Sequence, residues 1–256
     1  YIEPYSALDV VAFWVMSALI FWVLSVLVQL SSRCRCRVFC EDSLRGNDGG
    51  SSIRLLSVAV RALVIFLLYL PFFLRYCPGL FFGDTFSSLA QIMGWNPLSN
   101  HHPVAFTMMM AACIKIAGLM GMGPSVGVAL LTVLQMACVA STFGYLSIWV
   151  TSRLGVSSRW SWLLVVYFGL SRYCALFSVA LWKDPLFSCC LVLMVTMLAD
   201  AAMEKDSWSS ALRLLVFGAL ALGVMLLRNN GLHICSALFV VLAIIAVLGR
   251  LGRISP

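Results

Sequence analysis

The chain has 256 residues, of which 62% are hydrophobic and only 11% charged, and its mean hydropathy is +1.00. Soluble domains run near 45–50% apolar and about 25% charged, so this composition excludes a water-soluble globular fold and requires lipid as the solvent for most side chains. The net charge of +7 is no nucleic-acid footprint, because the Arg residues sit in short segments between apolar runs, where they orient spans against the cytoplasm.

The chain opens on Tyr1 rather than Met and stops soon after an apolar run, which suggests a fragment of a longer protein. A membrane span needs roughly 20 apolar residues. Runs at 7–30, 55–75, 125–150, 160–181, 185–203, 212–228 and 233–249 meet that length and predict an all-α, polytopic transmembrane bundle of about seven spans. The first run is too long for a signal-peptide core and has no basic flank ahead of it. Residues 1–54 form an N-terminal span and a basic cytoplasmic loop, whose stretch 41–52 is rich in Gly, Ser and Asp and reads as flexible. Residues 55–256 form the main membrane module, with a large loop over 76–124. No internal repeat, low-complexity tract or soluble domain interrupts it.

Loop charge sets the topology. Arg33, Arg35, Arg37, Arg45 and Arg54 place 31–54 in the cytoplasm, and Arg61 can snorkel to the same side. The 76–102 loop is then outside. Arg153 and Arg159 favour the inside for 151–159, as Arg250 and Arg253 do for the end. The run 104–120 is short, carries Lys115, and ends in Gly118, Gly121 and Gly123 before Pro124. If both it and 125–150 crossed, Arg153 would be outside; if only 125–150 crosses, every basic loop is inside. The expectation is that 104–120 lies in the outer interface or re-enters. Span 160–181 then runs outward, 185–203 returns to an inner loop at Glu204, Lys205 and Asp206, 212–228 runs outward, and 233–249 returns.

The ten cysteines do not make a secreted disulfide framework. Cys113, Cys138, Cys174, Cys189, Cys190 and Cys235 lie in apolar runs, where Cys acts as a small hydrophobe. Cys34, Cys36 and Cys40 lie among Arg33, Arg35 and Arg37 with no second ligand pair nearby, so reduced cytosolic thiols are preferred to a zinc site.

Four polar clusters fall on the outer face: Gly83-Asp84-Thr85, Asn100-His101-His102-Pro103, Trp182-Lys183-Asp184-Pro185 and Arg228-Asn229-Asn230-Gly231. Ionisable groups gathered on one side, with almost none deep in the spans, point to a shared polar site. Each cluster also has a capping role open to it. Asp84 can N-cap a helix over 85–94 whose apolar stripe, Phe86, Leu89, Ile92 and Met93, suits the interface. His102-Pro103 and Asp184-Pro185 can open helices. Arg228 can close a helix, with Gly231 turning left-handed. Capping does not account for two consecutive His, for Lys183-Asp184, or for twin Asn after Arg228.

The chemistry that uses such groups is transfer from a phosphate-linked donor. A carboxylate such as Asp84 can act as general base toward an acceptor hydroxyl. Arg228 and Lys183 can hold the departing phosphate, and the helix start at Pro185 adds a favourable dipole. Asn229 and Asn230 suit sugar hydroxyls. His101 and His102 can bind phosphate, bind a hydroxyl or ligate a metal, so a divalent cation is left open rather than required.

On these residues the chain resembles the GT-C superfamily of membrane glycosyltransferases, and within it a bacterial branch related to the dolichyl-phosphate-mannose and aminoarabinose transferases. The resemblance covers about 55–235 and is carried by Gly83-Asp84-Thr85, Asn100-His101-His102-Pro103-Val104, Arg153-Leu154-Gly155-Val156, Trp182-Lys183-Asp184-Pro185 and Arg228-Asn229-Asn230-Gly231. The chain departs from it at Val104, where related transferases often carry a second Pro. The resemblance implies a GT-C-like bundle with interfacial helices in the first large outer loop and Asp84 as the catalytic base. His101, His102, Lys183, Asp184, Arg228, Asn229 and Asn230 would bind substrate. The implied partners are a polyprenyl-phosphate-linked sugar donor and membrane lipid, with no nucleic acid. The location is a cell membrane crossed several times, with the site on the extracytoplasmic face. Two other readings stand beside this: a transporter or flippase for a lipid-linked or anionic substrate, and a non-catalytic membrane subunit.

Overall fold

The computed structural model describes residues 50–97, 99, 103–154, 157–203 and 211–251. The chain divides into a unit Tyr1–Ser51 and a unit Ser52–Pro256, and nearly all described residues belong to the second. The candidate span 7–30, the Cys34/Cys36/Cys40 group and both His101 and His102 lie outside the described residues.

Nine helices are described: α1 Gly50–Tyr76, α2 Gly83–Ile92, α3 Val104–Leu119, α4 Pro124–Leu154, α5 Ser158–Leu170, α6 Arg172–Val179, α7 Lys183–Met203, α8 Ala211–Leu227 and α9 Gly231–Leu251. The described part is all-helical, apart from one isolated parallel bridge between Leu80 and Ala180. Among the described residues three helices are long and apolar enough to cross a membrane: Leu55–Tyr76, Pro124–Arg153 and Lys183–Met203. A fourth candidate is the pair Arg159–Leu170 and Arg172–Val179, bent by 58°. Val104–Leu119, Ala211–Leu227 and Gly231–Ile244 are shorter apolar helices. The continuous span expected over 160–181 is therefore broken at Ser171. There the Ser171 hydroxyl accepts from Cys174 N at 3.4 Å and restarts the helix. The Tyr69 hydroxyl donates to Phe168 O at 3.0 Å, meeting one of the last carbonyls of α5, which a helix end leaves without an internal partner.

The central element is α4, which packs against α3, α5, α6 and α7. α3 does not stand apart from it. The two are joined by a short turn with Gly121 at φ 72°, and a side chain at Gly127 would fall on the backbone of Ile114. One face of α3, Phe106, Met110, Cys113 and Ala117, is buried with the spacing of a helical stripe. Phe106, Met110 and Cys113 share a core with Val128 and Leu131 of α4, and with Leu186, Phe217 and Val224 beyond. A second core joins Ile65 and Tyr69 of α1 to Met136, Val139 and Ala140 of α4 and to Val165 and Val179. Gly144 sets the α1–α4 crossing, since an added Cβ would lie 2.8 Å from Ala62 N; small residues permit such approaches between membrane helices.

The α8–α9 corner depends on a second glycine. The sequence suggested a left-handed Gly231, but positive φ is confined, among the described glycines, to Gly79, Gly94 and Gly121. Gly231 instead opens α9, buried with its Cα against α8, where an added Cβ would meet the Val224 carbonyl oxygen. Gly231→Ala is expected to cost at least about 1–3 kcal/mol through overpacking and to lower the thermal unfolding midpoint in detergent; Gly218→Ala, with open space around it, is expected to leave the midpoint unchanged.

Candidate functional site

Two inter-helix loops form the floor of the site. The chain leaving α1 and the chain leaving α6 run parallel and pair once: Leu80 N donates to Val179 O and Leu181 N to Leu80 O, each at 2.9 Å. α4 holds both. Thr132 Oγ1 donates to Pro78 O at 2.7 Å, and Gln135 Nε2 donates to Ser178 O at 2.9 Å and to Ala180 O at 2.5 Å. Thr132 and Gln135 are fully buried. Gly79 allows the close approach, because a Cβ there would lie 2.6 Å from Thr132 Oγ1 and 2.7 Å from a Leu181 methyl. From this paired floor, α2 and α7 start side by side.

Asp84 lies in the first turn of α2 and Lys183 opens α7. Lys183 Nζ meets Asp84 Oδ2 at 2.7 Å, and Trp182 Nε1 donates to the same oxygen at 3.0 Å. Stacking of Trp182 on Phe82, with ring centroids 5.6 Å apart, braces the indole. Asp84 is therefore not the N-cap suggested by the sequence. The residue ahead of α2 is Phe82, whose backbone N–H is taken by Thr85 Oγ1 at 3.2 Å. Thr85 Oγ1 in turn donates to Leu181 O at 2.5 Å, so α2 is tied to the α7 loop directly beneath the ion pair. Asp184 likewise sits within the first turn of α7 rather than ahead of it.

Arg228 follows the end of α8. Its Nε lies 3.6 Å from Asp184 Oδ1, and its guanidinium lies over Phe187 at 5.5 Å. At 3.6 Å the pair is an electrostatic contact but too long for a hydrogen bond, and Asp184 Oδ1 is a buried acceptor without a hydrogen-bond donor. Gln91 Oε1 and Gln135 Oε1 are in the same condition. Asn229 and Asn230 are exposed in the turn between α8 and α9.

Four of the sequence-derived residues thus form two ion pairs at the start of α7, Asp84 with Lys183 and Asp184 with Arg228, and Asn229 and Asn230 follow Arg228 in sequence. The fourth cluster is represented by the helix it opens. Pro103 is the N-cap of α3, and Thr107 Oγ1 donates to Ser88 Oγ at 3.1 Å, which brings the start of α3 onto α2. Among the described residues no group of three or more His, Cys, Asp or Glu could hold a metal ion.

Other charges gather at the far end of the same helices. Arg153 Nε pairs with Asp200 Oδ1 at 2.8 Å, and Trp149 Nε1 donates to that oxygen at 3.0 Å. Lys183 and Asp200 both lie in α7 and are separated by about 25 Å at 1.5 Å per residue, close to the depth of a bilayer core of about 30 Å. These two groups of charges therefore form two layers, one at each end of α7.

Sequence reasoning did not single out Gln135, Thr132, Thr85 or Trp182 as site residues. Gln135 could have been found, as an amide alone in the apolar run 125–150, because polar groups inside spans are costly and kept for a purpose. His233, exposed in the first turn of α9, follows the twin Asn closely and was also passed over.

No curated protein and no solved structure matches the chain. Residues 93–251 match a family of unknown function, DUF6020. The match takes in Lys183, Asp184, Arg228, Asn229 and Asn230, while Asp84 lies ahead of it. Since the matched segment makes up more than half of the sequence, the chain belongs to the DUF6020 family.

Proposed function

We propose that the protein is an integral-membrane glycosyltransferase of GT-C type that moves a hexosyl or pentosyl unit from a polyprenyl-phosphate carrier to a cell-envelope acceptor on the outer face. The observation that carries this reading is the union of Asp84, Lys183, Asp184 and Arg228 at one end of the helices, with Lys183 at 2.7 Å from Asp84. In the reaction an acceptor hydroxyl attacks the anomeric carbon. The bond from that carbon to the carrier phosphate oxygen breaks, and its electron pair leaves on the phosphate. The acceptor proton passes to Asp84. Arg228, exposed and only loosely paired, receives the departing charge, since charge-assisted hydrogen bonds from a guanidinium suit phosphate. Lys183 and Trp182, both on Oδ2, fix the carboxylate in place in the resting site. The Asp184 oxygen without a hydrogen-bond donor is an acceptor for a sugar hydroxyl, and Asn229 and Asn230 offer further contacts.

On this reading the spans number about seven. α3, a 16-residue helix folded back along α4, is re-entrant rather than flat on the surface, and the two charge layers lie at the two membrane faces. His101 and His102, which precede α3 in sequence and lie outside the described residues, would be further phosphate or hydroxyl contacts.

The test is transfer by the full chain in proteoliposomes supplied with radiolabelled polyprenyl-phosphate hexoses and pentoses. Release of unsugared carrier phosphate with label in an acceptor is expected; no release from any such donor would sink the proposal. Arg228→Gln is expected to weaken binding of polyprenyl phosphate by about 10–100-fold, the worth of one charge-assisted hydrogen bond. Undiminished binding would remove Arg228 from the phosphate site.

A second reading has one observation in its favour: the helix pair broken at Ser171 is a feature of transporters. A transporter would move labelled carrier across the vesicle without cleaving the sugar, and the same proteoliposomes read that outcome.

A further inference from the structure

Arg61 is the least exposed charged side chain among the described residues, 7% exposed on α1. It has two neighbours. Its Nη1 donates to Ser147 Oγ at 3.1 Å, and its guanidinium lies over the Trp162 ring at 5.2 Å. Neither carries a negative charge. The described carboxylates are Asp84, Asp184 and Asp200. The first two belong to the opposite charge layer, and Asp200 is taken by Arg153 and Trp149. Among the described residues, then, this buried guanidinium has no counter-charge, and burying one between helices without a counter-charge is costly.

The position is built, not accidental. Gly144 lets the α1 backbone approach α4 at Ala62, so the root of Arg61 is pinned beside the crossing. Ser147 donates its own proton to Gly144 O at 2.7 Å, which turns a lone pair toward Arg61. The remaining guanidinium donors are suited to an oxyanion. Trp160 and Trp162 open α5 and are 64% and 40% exposed; Trp residues near a span end sit at lipid headgroup depth. Leu63 and Leu67 of α1, with Leu163 and Val166 of α5, present exposed apolar surface next to them.

We infer that Arg61, held in place by Ser147 and Trp162, binds the phosphate of an anionic phospholipid where α1, α4 and α5 meet. The phosphodiester supplies a negative charge that no described residue brings to Arg61, and the acyl chains lie along the apolar surface of α1 and α5, where a free phosphate ion would find nothing to hold it. The site is separate from Asp84 and stands whether or not the protein transfers sugar.

The test uses the full chain in detergent, stripped of lipid and then given phosphatidylglycerol, phosphatidylcholine or inorganic phosphate, with native mass spectrometry and the thermal unfolding midpoint as readouts. Phosphatidylglycerol is expected to give a one-to-one adduct and a raised midpoint. Its preference over phosphatidylcholine should be about fivefold, the worth of one cation against an anionic headgroup. Inorganic phosphate should do neither. Arg61→Met should lose the adduct and Arg61→Lys should keep part of it; the adduct count reads this even if Arg61→Met lowers the midpoint by itself. Equal adducts in the wild type and Arg61→Met, or an equal response to inorganic phosphate, would overturn the inference. So would a Glu204→Gln/Asp206→Asn chain that loses as much stability as Arg61→Met, because the counter-charge would then be internal.

Discussion

Asp84→Asn is expected to lower sugar transfer from the lipid carrier by about 10²–10⁴-fold, the usual contribution of a positioned general base. The substitution is nearly isosteric, and the amide oxygen can still accept from Trp182 Nε1, which lies 3.0 Å from Asp84 Oδ2. The ties that hold α2 in place, from Thr85 to Leu181 O and from Thr107 to Ser88, do not involve Asp84. The fold should therefore survive, and the thermal unfolding midpoint provides the control. Initial rates with radiolabelled donor measure the effect, and full-rate transfer by this variant would remove Asp84 from the chemistry. Asp84→Glu adds a test of position. It keeps the charge but lengthens the arm, and a base held at 2.7 Å from Lys183 should lose much of its rate when displaced by even about 1 Å.

The largest expected effect on stability comes from Gln135→Leu. One side-chain amide serves two carbonyls, Ser178 O at the end of α6 and Ala180 O in the bridge. Helix ends leave their last carbonyls without internal partners, and in an apolar interior water does not replace a lost donor. A buried acceptor left unmet costs about 1–3 kcal/mol. Ser178 O would be left so, whereas Ala180 O keeps Trp182 N at 2.8 Å and loses one bond of two, worth about 0.5–1.5 kcal/mol, so Gln135→Leu should cost roughly 1.5–4.5 kcal/mol. It should show as a lowered unfolding midpoint and as faster hydrogen exchange at Leu80 and Leu181, whose amides form the bridge. Because the bridge sets α2 beside α7, activity should fall as well. Unchanged midpoint and exchange in the Gln135→Leu chain would show that the floor does not depend on this amide.

The helices were legible because apolar length in this chain is nearly synonymous with helix: the runs 55–75, 125–150 and 185–203 reappear as Leu55–Tyr76, Pro124–Arg153 and Lys183–Met203. The break at Ser171 was not legible. The local signals, Gly169 and Ser171 with Arg172, are weak without a Pro, and what stabilises the restart is the Ser171 cap together with a distant hydroxyl, Tyr69, on Phe168 O. Asp84, Lys183, Asp184 and Arg228 were legible as polar groups between apolar runs. Their wiring was not, because Asp84 could equally have capped its own helix. That choice is made by Lys183 and Trp182, far away in sequence. The glycines were misjudged for a related reason. Sequence reveals where a glycine can turn, whereas Gly144 and Gly231 serve by how closely another backbone passes.

The single parallel bridge between Leu80 and Ala180 bears on the order in which the protein is made. Asp84 and Lys183 are 99 residues apart. At about 5–20 residues per second, the loop carrying the carboxylate leaves the ribosome roughly 5–20 s before its partner exists. Through that interval Leu80 has no strand to pair with, and α2 lacks its tie to Leu181. The charged cluster is thus among the last features to form, begun when α7 enters beside α4 and completed only when Arg228 follows at the end of α8, so a nascent chain arrested before residue 183 carries the carboxylate without the site.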